Sequence, residues 1–256
     1  MFEEYKDEYD LTIEKGLLLL GWQDSVRFTT EDRSMVHPIC EETIELKKNN
    51  MLTPDLIDDL SLKAYNIISF QVVGKQERAD YISLVYYNSD KFRPLLNLID
   101  ESTICFYRGY FTAALSLCFI ILERYLRTVS NWSPGDRDPS FSQLKQSVLS
   151  LPNTNAARMA YEIINVIYSR YEALNPTQFE LNRHGLLHGI RGPKKYDEMN
   201  CARIYQLFNL LCNAEEINRT GYGEPLEFFK KRYRIFEMCN PRELESILIQ
   251  VDWKID

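Results

Sequence analysis

Histidine is scarce in this sequence: His37, His184 and His188 are the three in 256 residues, so general acid/base chemistry near neutral pH has few places to reside. Paired cysteine is missing altogether. Cys40, Cys105, Cys118, Cys201, Cys212 and Cys239 lie far apart without a C-x2-C pair and mostly inside apolar runs. That pattern excludes a zinc ribbon or disulfide frame and reads as reduced core thiols of a cytosolic protein. Long apolar runs are missing too. The most hydrophobic stretch, Gly109 to Leu122, covers 14 residues between Arg108 and Glu123, short of the roughly 20 that a membrane-spanning helix needs. The first ten residues, Met1 to Asp10, are acidic where a secretory leader is basic, so export is not expected and the cytoplasm is the expected location. No internal repeat or low-complexity tract is present.

Positive charge is also in short supply. The formal net charge is -7, which argues against a nucleic-acid binder that works through a broad basic surface. The deficit is uneven. Residues 1–104 carry 11 Lys/Arg against 20 Asp/Glu, residues 105–222 carry 13 against 10, and residues 223–256 carry 6 against 7. A mildly basic middle attached to an acidic first segment can take RNA on one face or dock against its own acidic neighbour, and charge alone does not separate the two.

What the chain does have is 45% apolar and 26% charged residues, the composition of an ordinary globular protein, with length for one large domain or two small ones. Apolar residues recur at three and four, which predicts an all-α fold. Helices are expected near Tyr5–Leu20, over Pro54–Val72 with Thr53 as N-cap, and over Glu77–Ile99, with loops at Ser34–Pro38 and Lys47–Asn50. Phe106–Val129 reads as one helix, apolar nearly all round and central to the core. Asn131–Ser140 reads as a surface loop. A short helix near Phe141–Leu149 follows, then one over Ala156–Tyr171 with Tyr161, Ile164, Ile167, Tyr168 and Tyr171 on one face. The next helix is capped by Asn175, has Pro176 in its first turn and is stopped by Gly189, Gly192 and Pro193. A last long one, Tyr196–Ile217, buries Ile204, Leu207, Phe208 and Leu211. The division expected is an acidic helical region over 1–101, a helical bundle over 102–222 and a helical extension over 223–256, packed back on the bundle.

Two of the three histidines fall in Asn182-Arg183-His184-Gly185-Leu186-Leu187-His188-Gly189. Arg183 and His188 stand in R-x4-H spacing, late in a helical bundle and on a helix that ends abruptly. On a straight helix these two lie about 140° apart and His184 and His188 about 40°. The arginine must therefore swing round, or the helix must bend near Gly185, a residue that costs up to about 1 kcal/mol in mid-helix and favours close backbone approach. This string resembles the signature of HEPN-type ribonucleases, whose arginine is commonly followed by a polar residue, here His184. The resemblance covers about residues 102–222 and implies an HEPN-like bundle that cuts RNA without metal or other cofactor. It also implies a homodimer in which two motifs face each other across one composite cleft. The residue types suit that chemistry. RNA brings its own nucleophile, the 2′-hydroxyl. His188 is then the general acid/base, Arg183 the fixed cation on the phosphate, and His184 a positioning or relay group. Asn182 hydrogen-bonds the motif or the RNA, Lys194 and Lys195 either hold the RNA backbone or form a solvated loop, and the products carry a 2′,3′-cyclic phosphate and a 5′-hydroxyl. The implied roles are a toxin or phage-defence effector.

Other readings of the same residues stay open. Arg183 can pair with Glu180 or Glu123, and both histidines can be satisfied groups at a helix end, where the dipole favours imidazolium. His184 and His188 at i, i+4 can share a metal ion, although HGLLH lacks the glutamate of the H-E-x-x-H zinc helix. Glu123, within the most apolar helix, needs a partner; Arg127 four residues on supplies one, and Arg183 or a histidine of a neighbouring helix is the sharper alternative. Tyr107 and Tyr110 suit RNA stacking or the core. The competing class of function is a non-catalytic interaction module, with room for a regulatory protein partner and no membrane.

Overall fold

The structure, a computed structural model, describes residues 8–23, 28–168, 197–217 and 223–239. Among them the chain is helical and contains no strand, only an isolated bridge between Pro134 and Asp136, so the all-α expectation holds. The helices are α1 (Glu8–Leu19), α2 (Thr30–Lys48), α3 (Pro54–Val73), α4 (Lys75–Asp80), α5 (Leu96–Tyr107), α6 (Phe111–Val129), α7 (Phe141–Ser147), α8 (Thr154–Ile167), α9 (Asp197–Ala214) and α10 (Leu226–Met238). No helix among the described residues is long and apolar enough to cross a membrane.

Their starts follow capping chemistry. Thr29 and Asp32 form a reciprocal capping box on α2, and Ser140 and Gln143 form one on α7. Thr53 accepts from Leu56 N before Pro54, as expected, and Asn153 accepts from Ala156 N at the head of α8.

Three expected boundaries are corrected. Ser34–Pro38 is not a loop: α2 runs through it, with Pro38 inside the helix and exposed. The cap at Thr29 and burial of Val36, Cys40 and Thr43 hold the helix together, outweighing one missing backbone donor. Glu77–Ile99 is not one helix. α4 passes into a π turn (Tyr81–Val85) and a 3-10 turn (Tyr86–Asn88), and the chain breaks at Ser89 before a second 3-10 turn (Arg93–Leu95) leads into α5. Ser89 turns extended and its Oγ accepts from Lys91 N and Phe92 N, so side-chain acceptors replace the helical ladder there. The Phe106–Val129 helix is likewise split. Gly109 sits at φ +75°, and Tyr110 N donates back to Cys105 O at 2.9 Å, a left-handed stop that only glycine takes cheaply. Residues 101 and 102 both lie inside α5.

The buried residues form two clusters. One gathers Ile13, Leu17, Val36, Cys40, Ile57, Leu60 and Ile68 from α1–α3 and Trp22 from just after α1, together with Met199 and Ala202 of α9. In it α1 meets α2 so closely that a Cβ on Gly16 would fall 2.3 Å from Cβ of Cys40. The other gathers the remaining helices, with Phe92, Phe106, Tyr125, Ile164, Tyr205, Phe208 and Phe236 among its members. The most enclosed helix is α9: every residue from Met199 to Phe208 is buried. It buries Ile204, Leu207, Phe208 and Leu211 completely, as the periodicity predicts. The helix expected to be apolar nearly all round, α6, keeps an open stripe through Thr112, Ala113, Ile120, Arg124 and Thr128. α10 packs back on α4 and α5.

Candidate functional site

Asn182, Arg183, His184, His188, Lys194 and Lys195, and the Asn175-capped helix expected to carry the motif, lie outside the described residues. The helices on either side of them are described. Asn153 N at the head of α8 donates to Ala214 O at the foot of α9 (3.0 Å), so these two helices run antiparallel. Cys201 Sγ donates to Phe111 O near the start of α6, and Tyr125 near the end of α6 donates to Glu215 just past α9 (2.8 Å), so α6 runs parallel to α9. The chain therefore leaves α8 and enters α9 at the same end of the bundle, beside Phe111. At that end Tyr65 of α3 donates to Glu198 (2.8 Å), and burial followed by the carboxylate raises the Tyr65 phenol well above its ordinary range. Tyr168, closing α8, stacks on Phe141 at 4.7 Å.

Glu123 sits about 18 Å further along α6 than Phe111, from 12 residues of helical rise. It accepts from Arg127 Nη2 at 3.2 Å, the i, i+4 pair expected. Arg127 also bonds Asp138 (2.7 Å) and covers the Trp132 ring (4.7 Å). Whether Glu123 orients Arg183 or a histidine lies outside the described residues. The third histidine, His37, stacks on Tyr9 at 4.2 Å with Nδ1 3.5 Å from Glu41. No group of three metal-ligating side chains is assembled among the described residues. Tyr107 is buried and donates to Val73 O (2.8 Å), which places it in the core, whereas Tyr110 is 48% exposed.

Three buried polar centres had no warning in the sequence. Arg232 uses all five N–H donors: two on Asp100 (2.6 and 3.1 Å), two on Glu224 and one on Ser83 Oγ (2.5 Å). Burial lowers the basicity of this guanidinium, but its bonds to Glu224 and Asp100 outweigh that and raise it. Asp100 is shifted up, because burial outweighs the pull of Arg232. The second centre is Arg203, which reaches from α9 to Leu20 O (3.2 Å), Ser61 Oγ (2.7 Å) and Asn200 (3.0 Å) and lies over the Trp22 ring (4.9 Å). The third is Arg78, fully buried between the rings of Tyr205 (4.1 Å) and Tyr86 (5.5 Å). Its Nη1 donates to Tyr86 (3.1 Å), while Nε and Nη2 have no hydrogen-bond partner. Arg78 and Arg232 read in the sequence as further cations in charged stretches, whereas Arg203 is a lone charge between apolar residues.

Comparison of the chain with models of protein families, with curated proteins and with solved structures returns no match.

Proposed function

We propose that this protein is a metal-independent endoribonuclease with an HEPN-like bundle, acting as a homodimer that builds one composite cleft. The observation that carries the reading is the string Asn182-Arg183-His184-x-x-x-His188-Gly189, set in the segment that joins two antiparallel helices of an all-helical chain. In the proposed reaction the ribose 2′-hydroxyl loses its proton and attacks the adjacent phosphorus. The bond from phosphorus to the 5′-oxygen breaks, and that oxygen is protonated as it leaves. His188 moves the protons, Arg183 holds the phosphate as charge builds, and His184 positions or relays. Asn182, Lys194 and Lys195 bind the strand. The products are a 2′,3′-cyclic phosphate and a 5′-hydroxyl, and cutting host or invader RNA would suit a toxin or phage-defence effector.

Incubation of total RNA with the wild type and with His188→Ala, each in EDTA, tests this. Cleavage that survives chelation and falls by about 100-fold or more in the variant is expected, the usual scale of one general acid/base group. Wild-type cleavage abolished by EDTA would shift the case to a metal on His184 and His188. No cleavage by either protein would favour the interaction module.

A further inference from the structure

Between the Arg93–Leu95 turn, the start of α5 and one side of α10 lies a groove of about 460 Å³, within the range of roughly 300–1,000 Å³ usual for small-molecule sites. Its floor is the Arg232 clamp, in which one guanidinium is committed to two carboxylates. The floor is therefore rigid and carries one net negative charge. Its rim is cationic: Arg93 and Lys231 both line it and both are exposed. Lys231 makes no ion pair or hydrogen bond among the described residues. Arg93 is held in place by Nε donating to Tyr87 O (2.6 Å), by lying over the Tyr87 ring (5.2 Å) and by a long, solvent-exposed ion pair of Nη1 with Asp90 (3.6 Å), which an incoming phosphate must outcompete. On the wall Phe228, 49% exposed, offers an aromatic face, and Asn97 offers an exposed amide.

Cations at the rim, a half-open ring and hydrogen-bond acceptors at the floor are the set that a phosphorylated, ring-bearing ligand requires. We infer that this groove binds a mononucleotide, with its phosphates on Arg93 and Lys231, its base against Phe228 and Asn97, and its ribose hydroxyls donating towards Asp100. A long polyanion fits less well, because the segment that carries α10 has no net positive charge, with 6 cationic against 7 anionic side chains in residues 223–256. None of the residues that line the groove belongs to the Asn182–Gly189 string, and binding there does not rest on the ribonuclease reading.

The test is a fluorescence titration of methylanthraniloyl-ADP into the full-length chain carrying His188→Ala, so that an RNA competitor is not cut. Saturable binding is expected, displaced by ADP but not by adenosine or by inorganic phosphate. Lys231→Ala and Phe228→Ala, both at exposed positions, are each expected to weaken it about tenfold without changing the melting temperature. Absence of saturable binding at millimolar probe, or binding unchanged in both variants, overturns the proposal. So does displacement by a short oligoadenylate RNA but not by ADP, which would make the groove an RNA contact.

Discussion

Two buried arginines show how partners decide what a charge does to stability. Arg232 is matched on all five donors, so removing it leaves Asp100 and Glu224 facing each other without a cation. Arg232→Met is expected to cost about 3–5 kcal/mol at pH 7, measured by urea unfolding. The pH dependence follows from the raised Asp100. Its carboxyl binds a proton more tightly folded than unfolded, so its contribution is present below the ordinary carboxylate range and is lost as pH rises through the folded value. Without Arg232 that loss grows, and the variant's deficit should be smaller near pH 4 than at pH 7; equal deficits would disprove the account. Arg78 is the opposite case. Its ring contacts contribute about 2 kcal/mol each at best, against a desolvation cost of several kcal/mol and unsatisfied nitrogens at about 1–3 kcal/mol each. Arg78→Met is therefore expected to change stability by less than about 1 kcal/mol or to raise it.

The cysteines give a third expectation at this scale. All six are free, five are buried and Cys105 is partly exposed. Burial pushes the Cys118 thiol up to about 12 and raises that of Cys105. Alkylation of the native protein at pH 8 should reach Cys105 first and slowly, with the others reacting only on unfolding; mass spectrometry of the labelled peptides decides it.

At the scale of the element, local chemistry set the starts of helices and tertiary packing set their interruptions. The cap at Thr53-Pro54 was read because it is a contact within four residues, and Ser140 and Asn153, which were not singled out, cap by the same local chemistry. The passage of α2 through Pro38 could not, because it depends on Val36 and Cys40 finding α1 across the cluster. Pro38 is exposed and denies the helix one hydrogen bond, so Pro38→Ala should stabilise the protein. The gain is expected at about 1–2 kcal/mol, the helix-interior penalty of proline less its effect on the unfolded chain. A thermal melt that moves down would show instead that the helix geometry set by Pro38 is needed for packing on α1. Gly109 has the same lesson in reverse: Arg108 and Gly109 interrupt the apolar residues without a proline to end the helix, and the left-handed conformation of Gly109 separates α5 from α6.

At the scale of the molecule, α1–α3 meet α9, and the contact combines apolar side chains with Arg203 and the Tyr65–Glu198 hydrogen bond. Met199 and Ala202 enter the first cluster while Ile204, Leu207 and Phe208 belong to the second, so one helix couples both. Arg203→Ala removes the bonds to Leu20 and Ser61 and should loosen that coupling. Calorimetry is expected to show a lowered and broadened transition, with the van't Hoff enthalpy below the calorimetric one. A single transition of unchanged cooperativity would mean that apolar contact suffices. Of the candidate ribonuclease site, the residue types and spacing were legible, as was the Glu123–Arg127 pair, which is set by helical repeat alone.

The all-helical class, the cap at Thr53 and the buried stripe of α9 follow from the order of residues, because each depends on neighbours within a turn or two. The enclosure of α9, the π turn after α4, the split at Gly109 and the burial of Arg78, Arg203 and Arg232 were decided only in three dimensions. A charged side chain shows no sign in sequence of being buried; its partners, Asp100 and Glu224 for Arg232, Leu20 and Ser61 for Arg203, reach it from other helices when the chain packs.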